Sequence, residues 1–472
     1  MSAVTEERAP FGAEMSPVSV LCLLFAAVLL GAAVLQNNGA YDDLAIKLAF
    51  YAFAFAFAPV LIPKKTRFDA LAERALPAAF IAGLVYQVGA LGSMPAGIYL
   101  RYGVSNTEFH MWLAAAALVA GFGIAAREGQ RRVLLPLLVL LYVMLAIWLV
   151  KASPAPHIDV WSIHQESARA LIDGKNPYTI TFKNPYGSTA YFSPGAATNE
   201  RLLFGYVYPP WCLLAGVPGF IVGGDYRYGY MASVAAAAMA VGLVRGNRLA
   251  LGAIAIWLFM PRSFFVLEQG WTEASLAIPF AAALVFAALK KPAACAASLG
   301  VLACAKQYTI IAAPAILLLA GLAPTWKERG KAVLWMAVGG GLSTLPFALR
   351  DFGAYWKWVY GIQFSAPFRN DSLSASVWWF RQHGAQMTSP MTLGGWLAVT
   401  GLVVWRAPRT PAGFAWAVGT IYFAFFMLRQ GFCNYYWFVI ATYALAMALA
   451  APGSARAAAA APEATSTEPA AS

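Results

Sequence analysis

The chain has 472 residues, 60% of them apolar and 11% charged, with a mean hydropathy of +0.62, whereas soluble domains carry roughly 25% charged residues. Composition therefore excludes a water-soluble globule. The formal charge of +12 would suggest nucleic acid in a soluble protein, but here Lys and Arg sit in short connections between apolar runs and read as topology signals.

Apolar runs of roughly 17–25 residues recur along nearly the whole length, each long enough for a hydrocarbon core about 30 Å thick. They are continuously apolar, without the alternation of a barrel strand, so they predict helices. The expected fold is an all-α polytopic integral membrane protein of roughly 12–14 transmembrane helices. Glu6, Glu7, Arg8 and Glu14 precede the first run, Val18 to Leu35, without a basic start or a cleavage site, which predicts a retained first helix. Further spans are expected at 44–62, 76–92, 110–126 and 133–151, then at 206–222, 229–244, 249–266, 273–289, 293–321, 332–349, 391–405, 412–428 and 435–451. Two polar stretches, 152–205 and 350–390, are too long for ordinary helix connections and are where function is expected. The tail 452–472, rich in Ala, Pro, Ser, Thr and Glu, cannot bury a core and is expected to be disordered. The organisation read from this is an N-terminal transmembrane extension over 1–132, a catalytic transmembrane region over 133–451, and the tail. The five cysteines show no CxxC or Cys/His spacing, so neither a disulfide framework nor a zinc site is supported.

Basic connections at Lys64–Arg74, Arg127–Arg132 and Lys327–Lys331 predict cytoplasmic loops. Counting crossings from them puts both long stretches on the opposite, external face. The region 206–321 admits two patterns: 206–222 crosses and 293–321 is one long helix, or 206–222 is partly re-entrant and 293–321 breaks near Lys306. The second keeps Arg245, Arg248, Lys290 and Lys291 inside and is preferred.

In the first long stretch, residues 157–178 read as one helix between Pro154/Pro156 and Gly174/Pro177. Asp159 and Glu166 lie two turns apart on one face, where a general base could stand, although Asp159 would equally serve the helix N-terminus. His157 and His164 read as surface or satisfied histidines. Lys306 lies inside an apolar run, a functional candidate because an unpaired buried charge is expensive, with snorkelling as the plainer alternative. Arg369, Arg381 and Arg429 are further cations near the second stretch.

Asp159, the element ALIDGKNPY at 170–178 and Tyr208-Pro209-Pro210 opening an apolar run together resemble membrane-embedded glycosyltransferases of the GT-C superfamily, and most nearly glycosyltransferase family 87, the polyprenol-phosphate-mannose-dependent transferases. The resemblance spans roughly 133–440 and extends to Gln269-Gly270, to Lys306 and to FRNDSL at 368–373. It implies transfer of a sugar, mannose or another hexose or pentose, from a polyprenyl-phosphate donor to a lipid or glycan acceptor, with inversion. Asp159, with Glu166 second, would be the catalytic base, and Lys306, Arg369, Asn370, Ser372, Gln269, Tyr208 and Arg429 would bind donor phosphate or substrate. The implied partners are that donor, that acceptor and membrane lipids, with no nucleic acid, in a bacterial inner membrane with the site facing outward. No cofactor is implied; a divalent metal is left open, with no D-x-D pair to hold one. Where the family commonly has a late His before an aromatic, this chain has Cys433-Asn434-Tyr435-Tyr436, and residues 1–130 have no counterpart in the resemblance.

Two rival classes would share the all-helical character. A transporter or flippase of lipid-linked sugars would show paired broken helices in two matching halves, and the sequence has no such correspondence. A polysaccharide polymerase or ligase would be expected to carry several arginines in the first long stretch, which has Arg169 and Arg201.

Overall fold

The computed structural model describes residues 15–364 and 368–450, and for Glu128 and Arg245 only the backbone. The residues before the first apolar run and the tail 452–472 lie outside them. Within the described residues the chain forms nineteen α-helices and one two-stranded ribbon, Phe182–Lys183 with Arg201–Leu202. It is an all-α, multi-pass membrane protein.

Five helices come first: α1 Pro17–Gln36, α2 Asp43–Leu61, α3 Asp69–Gly92, α4 Thr107–Ala125 and α5 Glu128–Ala152. Polar residues start several of them. Ser16 accepts from the Ser19 amide at 3.2 Å, and Asp42 accepts from Leu44 and Ala45 at 2.8 and 3.0 Å, satisfying amides that a helix start leaves without partners. After the amphipathic α6, Asp159–Ile172, come α7 Pro210–Gly223, α8 Arg227–Arg245, α9 Arg248–Leu258, α10 Ser263–Glu268, α11 Glu273–Ala288, α12 Pro292–Ala303 and a 3₁₀ helix Thr309–Leu322. The chain continues with α13 Trp326–Ala348, α14 Phe352–Trp356, α15 Ile362–Phe364, α16 Ala375–His383, α17 Ser389–Arg406, α18 Pro411–Leu428 and α19 Cys433–Leu449.

Seven of these helices are long and apolar enough to cross a membrane, an eighth if α13 and the bent segment after it count as one span, and six further apolar helices have 10–17 residues. The expected single span over 249–266 is instead two helices, because Pro261 stands between α9 and α10 and cannot donate to a continuing helix. The 293–321 run divides around Lys306 into α12 and the 3₁₀ helix, the pattern preferred from the sequence. Helix α13 starts earlier than the apolar run because Thr325 and Glu328 form a capping box. The helix expected over 157–178 is α6 alone, closed by Gly174 at φ +72°, and the stretch 350–390 carries α14, a π-helical turn, α15 and α16.

Helix α7, with 14 residues, is shorter than the helices long enough to cross a membrane. Just before its start, the Tyr208 carbonyl accepts from the Tyr178 hydroxyl at 2.9 Å, and at its end the Gly224 carbonyl accepts from Gln165 of α6 at 2.6 Å. Both ends therefore touch the first long segment. The two long segments also meet one another: Arg350 donates to the Gly174 carbonyl at 2.5 Å, and Gln307 donates to the carbonyls of Val207 and Val359 at 2.8 and 3.0 Å. They form one end of the bundle. At the other end Arg406 donates to the Val60 carbonyl, beside the Lys64–Arg67 connection.

The N-terminal helices are built into this body. Helix α1 packs on α19 and α3 on α9, and the buried Glu268 carboxylate at the end of α10 accepts from the amides of Ile98 and Tyr99, both at 2.8 Å, in the α3–α4 connection.

Candidate active site

Asp159 is the first residue of α6, and Ile158 rather than Asp159 occupies the cap position. Its Oδ1 accepts from the Tyr186 hydroxyl at 3.1 Å and from the Val160 amide at 2.8 Å, while Oδ2 has no hydrogen-bond partner among the described residues. Burial raises its pKa above the usual carboxylate range, against the pull of the Tyr186 bond, the Val160 amide and the nearby Arg369 guanidinium. The result is a carboxylate more basic than one in water. Arg369, from the second long segment, forms a bidentate pair with Asp371 at 2.9 and 2.7 Å and lies over the Phe432 ring at 4.8 Å.

Deeper in the bundle, Lys306 and Glu273 form a buried ion pair. Glu273 opens α11, and Lys306 stands in the break between α12 and the 3₁₀ helix. The carboxylate also accepts from Asn434 at 2.6 Å and from the Tyr308 hydroxyl at 3.1 Å, and the ammonium donates to Thr272 at 2.7 Å. Three rings, Tyr208, Tyr308 and Tyr435, surround the ammonium at 5.8, 5.4 and 5.1 Å, so cation–π attraction supplements the single carboxylate. Lys306 does not snorkel; its charge is neutralised inside the protein.

The remaining sequence candidates separate. Glu166 and Asp159 do not share a site, although both lie on α6: Glu166 accepts from the Lys183 amide at 2.9 Å and lines a cavity on the flank of α6 that Asp159 does not reach. Tyr208 lies between the two centres, its ring against Lys306 and against His164 at 5.0 Å. Ser372 is buried and bonded to Ser374 at 3.1 Å, which serves the start of α16. Gln269 is buried and donates to Glu268 at 3.3 Å. Next to it Gly270, at φ +66°, has its carbonyl bonded to the Tyr226 hydroxyl, and a Cβ there would collide with that hydroxyl, so this turn requires glycine. Asn370 and Arg429 are exposed, and Arg429 closes α18 beside the 371–376 segment, to which Leu428 and Gly431 bond. Arg381 stacks on Tyr41 at 4.0 Å, His157 is exposed, and His164 is buried.

Sequence reasoning finds Lys306 and misses Glu273 and Tyr186. Glu273 carries a usable signal, since an acid opening an apolar run calls for a partner, and Lys306 in the next run is that partner. Tyr186 carries none, because one tyrosine in a tyrosine-rich stretch is like its neighbours until the loop folds back over α6.

No family model matches the sequence, and no curated protein matches it. Among solved structures the chain is similar to the crystal structure of ArnT from Cupriavidus metallidurans bound to undecaprenyl phosphate, at 16% identity over 74% of this chain and 60% of that one, with a TM-score of 0.41. The chain thus spans less than two thirds of that protein's length.

Proposed function

We propose that the protein is a glycosyltransferase that moves a sugar from a polyprenyl-phosphate donor to a hydroxyl of a lipid or glycan acceptor, on the face where the two long segments meet. The carrying observation is Asp159: a carboxylate held by Tyr186, made more basic by burial, with one oxygen open and an arginine from the second segment close by. The resemblance of GKNPY and the Tyr208-Pro209-Pro210 element to family 87 supports the same reading.

In the proposed reaction Asp159 takes the acceptor O–H proton as the acceptor oxygen attacks the anomeric carbon. The bond from that carbon to the phosphate oxygen breaks on the opposite face, and the polyprenyl phosphate leaves with the bonding pair, inverting the centre. Arg369 and Arg429 at the rim supply positive charge for the leaving phosphate, Asn370 adds a polar contact, and Glu166 takes no part. Lys306 acts from beneath: already paired with Glu273, it holds Tyr208 and Tyr435 around its ammonium as the floor of the site and is not a free phosphate ligand. Incubating the purified protein with radiolabelled lipid-phosphate sugars and an acceptor lipid extract tests the reading. Consumption of one donor, lost in Asp159→Asn, is expected; no donor consumed by the parent would sink it.

A further inference from the structure

Further along α6, two turns beyond Asp159, lies a cavity of about 310 Å³ that Asp159 does not line, at the small end of the roughly 300–1,000 Å³ range of ligand pockets. Its polar wall is Glu166, Arg169, Asp173 and Lys175, and its apolar wall is Ile180 with Phe220 of α7. Glu166, Arg169 and Asp173 follow one another at helical spacing, so they line one face of α6. Two positive and two negative groups therefore share one small space. None of the four is in an ion pair: the ion pairs among the described residues are Arg227–Asp225, Lys306–Glu273 and Arg369–Asp371. Glu166 spends one oxygen on the Lys183 amide, and the Arg169 guanidinium lies over the Phe220 ring at 5.2 Å with no hydrogen-bond partner among the described residues.

A ligand complementary to two cations and two anions must itself carry both signs. A phosphate meets Arg169 and Lys175, and an ammonium that can donate hydrogen bonds meets Glu166 and Asp173. The surroundings say that it is lipid-borne. Next to Phe220 the C-terminal end of α7 exposes Ile221 and Val222 at 66% and 89%, and Ile172 at the end of α6 is exposed at 50%. An acyl chain has an apolar track to follow from the cavity. We infer that this groove binds the head group of a phospholipid carrying a phosphate and a primary ammonium, the phosphatidylethanolamine class, as a site separate from the sugar-transfer centre.

Lipid retention by the full-length protein tests this. The protein in detergent is equilibrated with equal amounts of ethanolamine, choline and glycerol phospholipids, and bound lipid is counted by native mass spectrometry. The ethanolamine lipid should be retained about tenfold over the choline lipid, which has the phosphate but no N–H donor; a tenfold ratio corresponds to the strength of one charge-assisted hydrogen bond. Arg169→Gln with Lys175→Gln should lower retention of the ethanolamine and glycerol lipids alike. Glu166→Gln with Asp173→Asn should bring the ethanolamine lipid down to the choline level and leave the glycerol lipid bound. Equal retention of the three head groups, or unchanged retention in both charge-neutralised variants at parental melting temperature, would overturn the inference. Equal competition by water-soluble glycerophosphoethanolamine would overturn its lipid part. The inference stands apart from the transfer reaction: Asp159→Asn should retain the lipid as the parent does, so failure of one leaves the other readable.

Discussion

Glu273 and Lys306 are each the wrong residue for an apolar interior and together are tolerable, since the pair is neutral and every remaining donor and acceptor is met by Thr272, Tyr308, Asn434 or a ring face. Breaking such a pair leaves one buried charge uncompensated, whereas removing both groups leaves none. Lys306→Met and Glu273→Gln should each destabilise by about 3–5 kcal/mol, and the double variant should cost much less than their sum, as read from detergent melts of the four proteins; additive losses would show that the two side chains act independently. Asp159 differs because it is half-buried and one oxygen is open. Asp159→Asn keeps the shape and removes the proton acceptor, so turnover should fall by about a hundredfold or more at unchanged melting temperature. In Tyr186→Phe the carboxylate loses the bond that holds its pKa down, so the acid limb of the pH–rate profile should move to higher pH. A limb that stays in place or moves down would separate that limb from Asp159.

Helix α6 is held to the bundle by a histidine that stays neutral near neutral pH. His164 Nδ1 lies 2.9 Å from the Val160 carbonyl, which can only accept, so Nδ1 carries the proton and Nε2 accepts from the Tyr206 hydroxyl at 2.9 Å. Four tyrosine rings, Tyr206, Tyr208, Tyr226 and Tyr230, enclose the imidazole. Burial among them lowers its pKa from 6.5 to about 3. The folded state thus binds the proton less well than the unfolded one, so this contribution to stability is complete above pH 6.5 and is lost as pH falls from there toward 3. His164→Gln, which cannot titrate, should flatten the fall in melting temperature over that window; an unchanged slope would assign the acid sensitivity elsewhere. The start of α6 was legible in the sequence to within two residues, because Pro154 and Pro156 precede it, but the helix was read on to 178 whereas it ends at Ile172 and Gly174 closes it. What it packs on was not legible. The reading of His164 as a satisfied histidine follows from frequency, while the cage depends on Tyr226 and Tyr230, which lie far along the chain and reach α6 only because the chain turns at Gly224 between α7 and α8.

At the scale of the whole chain, hydropathy revealed the all-helical membrane character, because a continuous apolar run has one way to satisfy its backbone in lipid. Against the roughly twelve to fourteen spans expected, seven or eight of the described helices are long and apolar enough to cross. The break at Pro261 was not read from hydropathy, and the break at Lys306 was preferred only from where the basic residues would fall, since a broken helix is as apolar as a crossing one. The placement of both long segments at one end depends on the number of crossings between them, and the structure ties that end together by Arg350 to Gly174, Gln307 to Val207 and Val359, and Tyr41 to the Asp371 carbonyl. The basic connections mark the other end, beside the Arg406–Val60 bond, and basic loops stay in the cytoplasm. Both long segments should therefore face away from the cytoplasm. Single cysteines placed at Thr189 and Gln386, which are exposed in the first and second segments, should react with an impermeant thiol reagent added to intact cells, and one at Lys65, exposed between α2 and α3, should react only after the cells are opened. The native thiols are a small background, since Cys212, Cys295 and Cys433 are buried and Cys22 and Cys304 lie within or at the end of apolar helices. Labelling of Thr189→Cys without Gln386→Cys would place a membrane between the two segments, and Asp159 and Arg369 could not then serve one site. Labelling of Lys65→Cys from outside, with the other two protected, would keep the shared site and turn it to the cytoplasm, where a donor loaded on the inner leaflet would have to be its substrate.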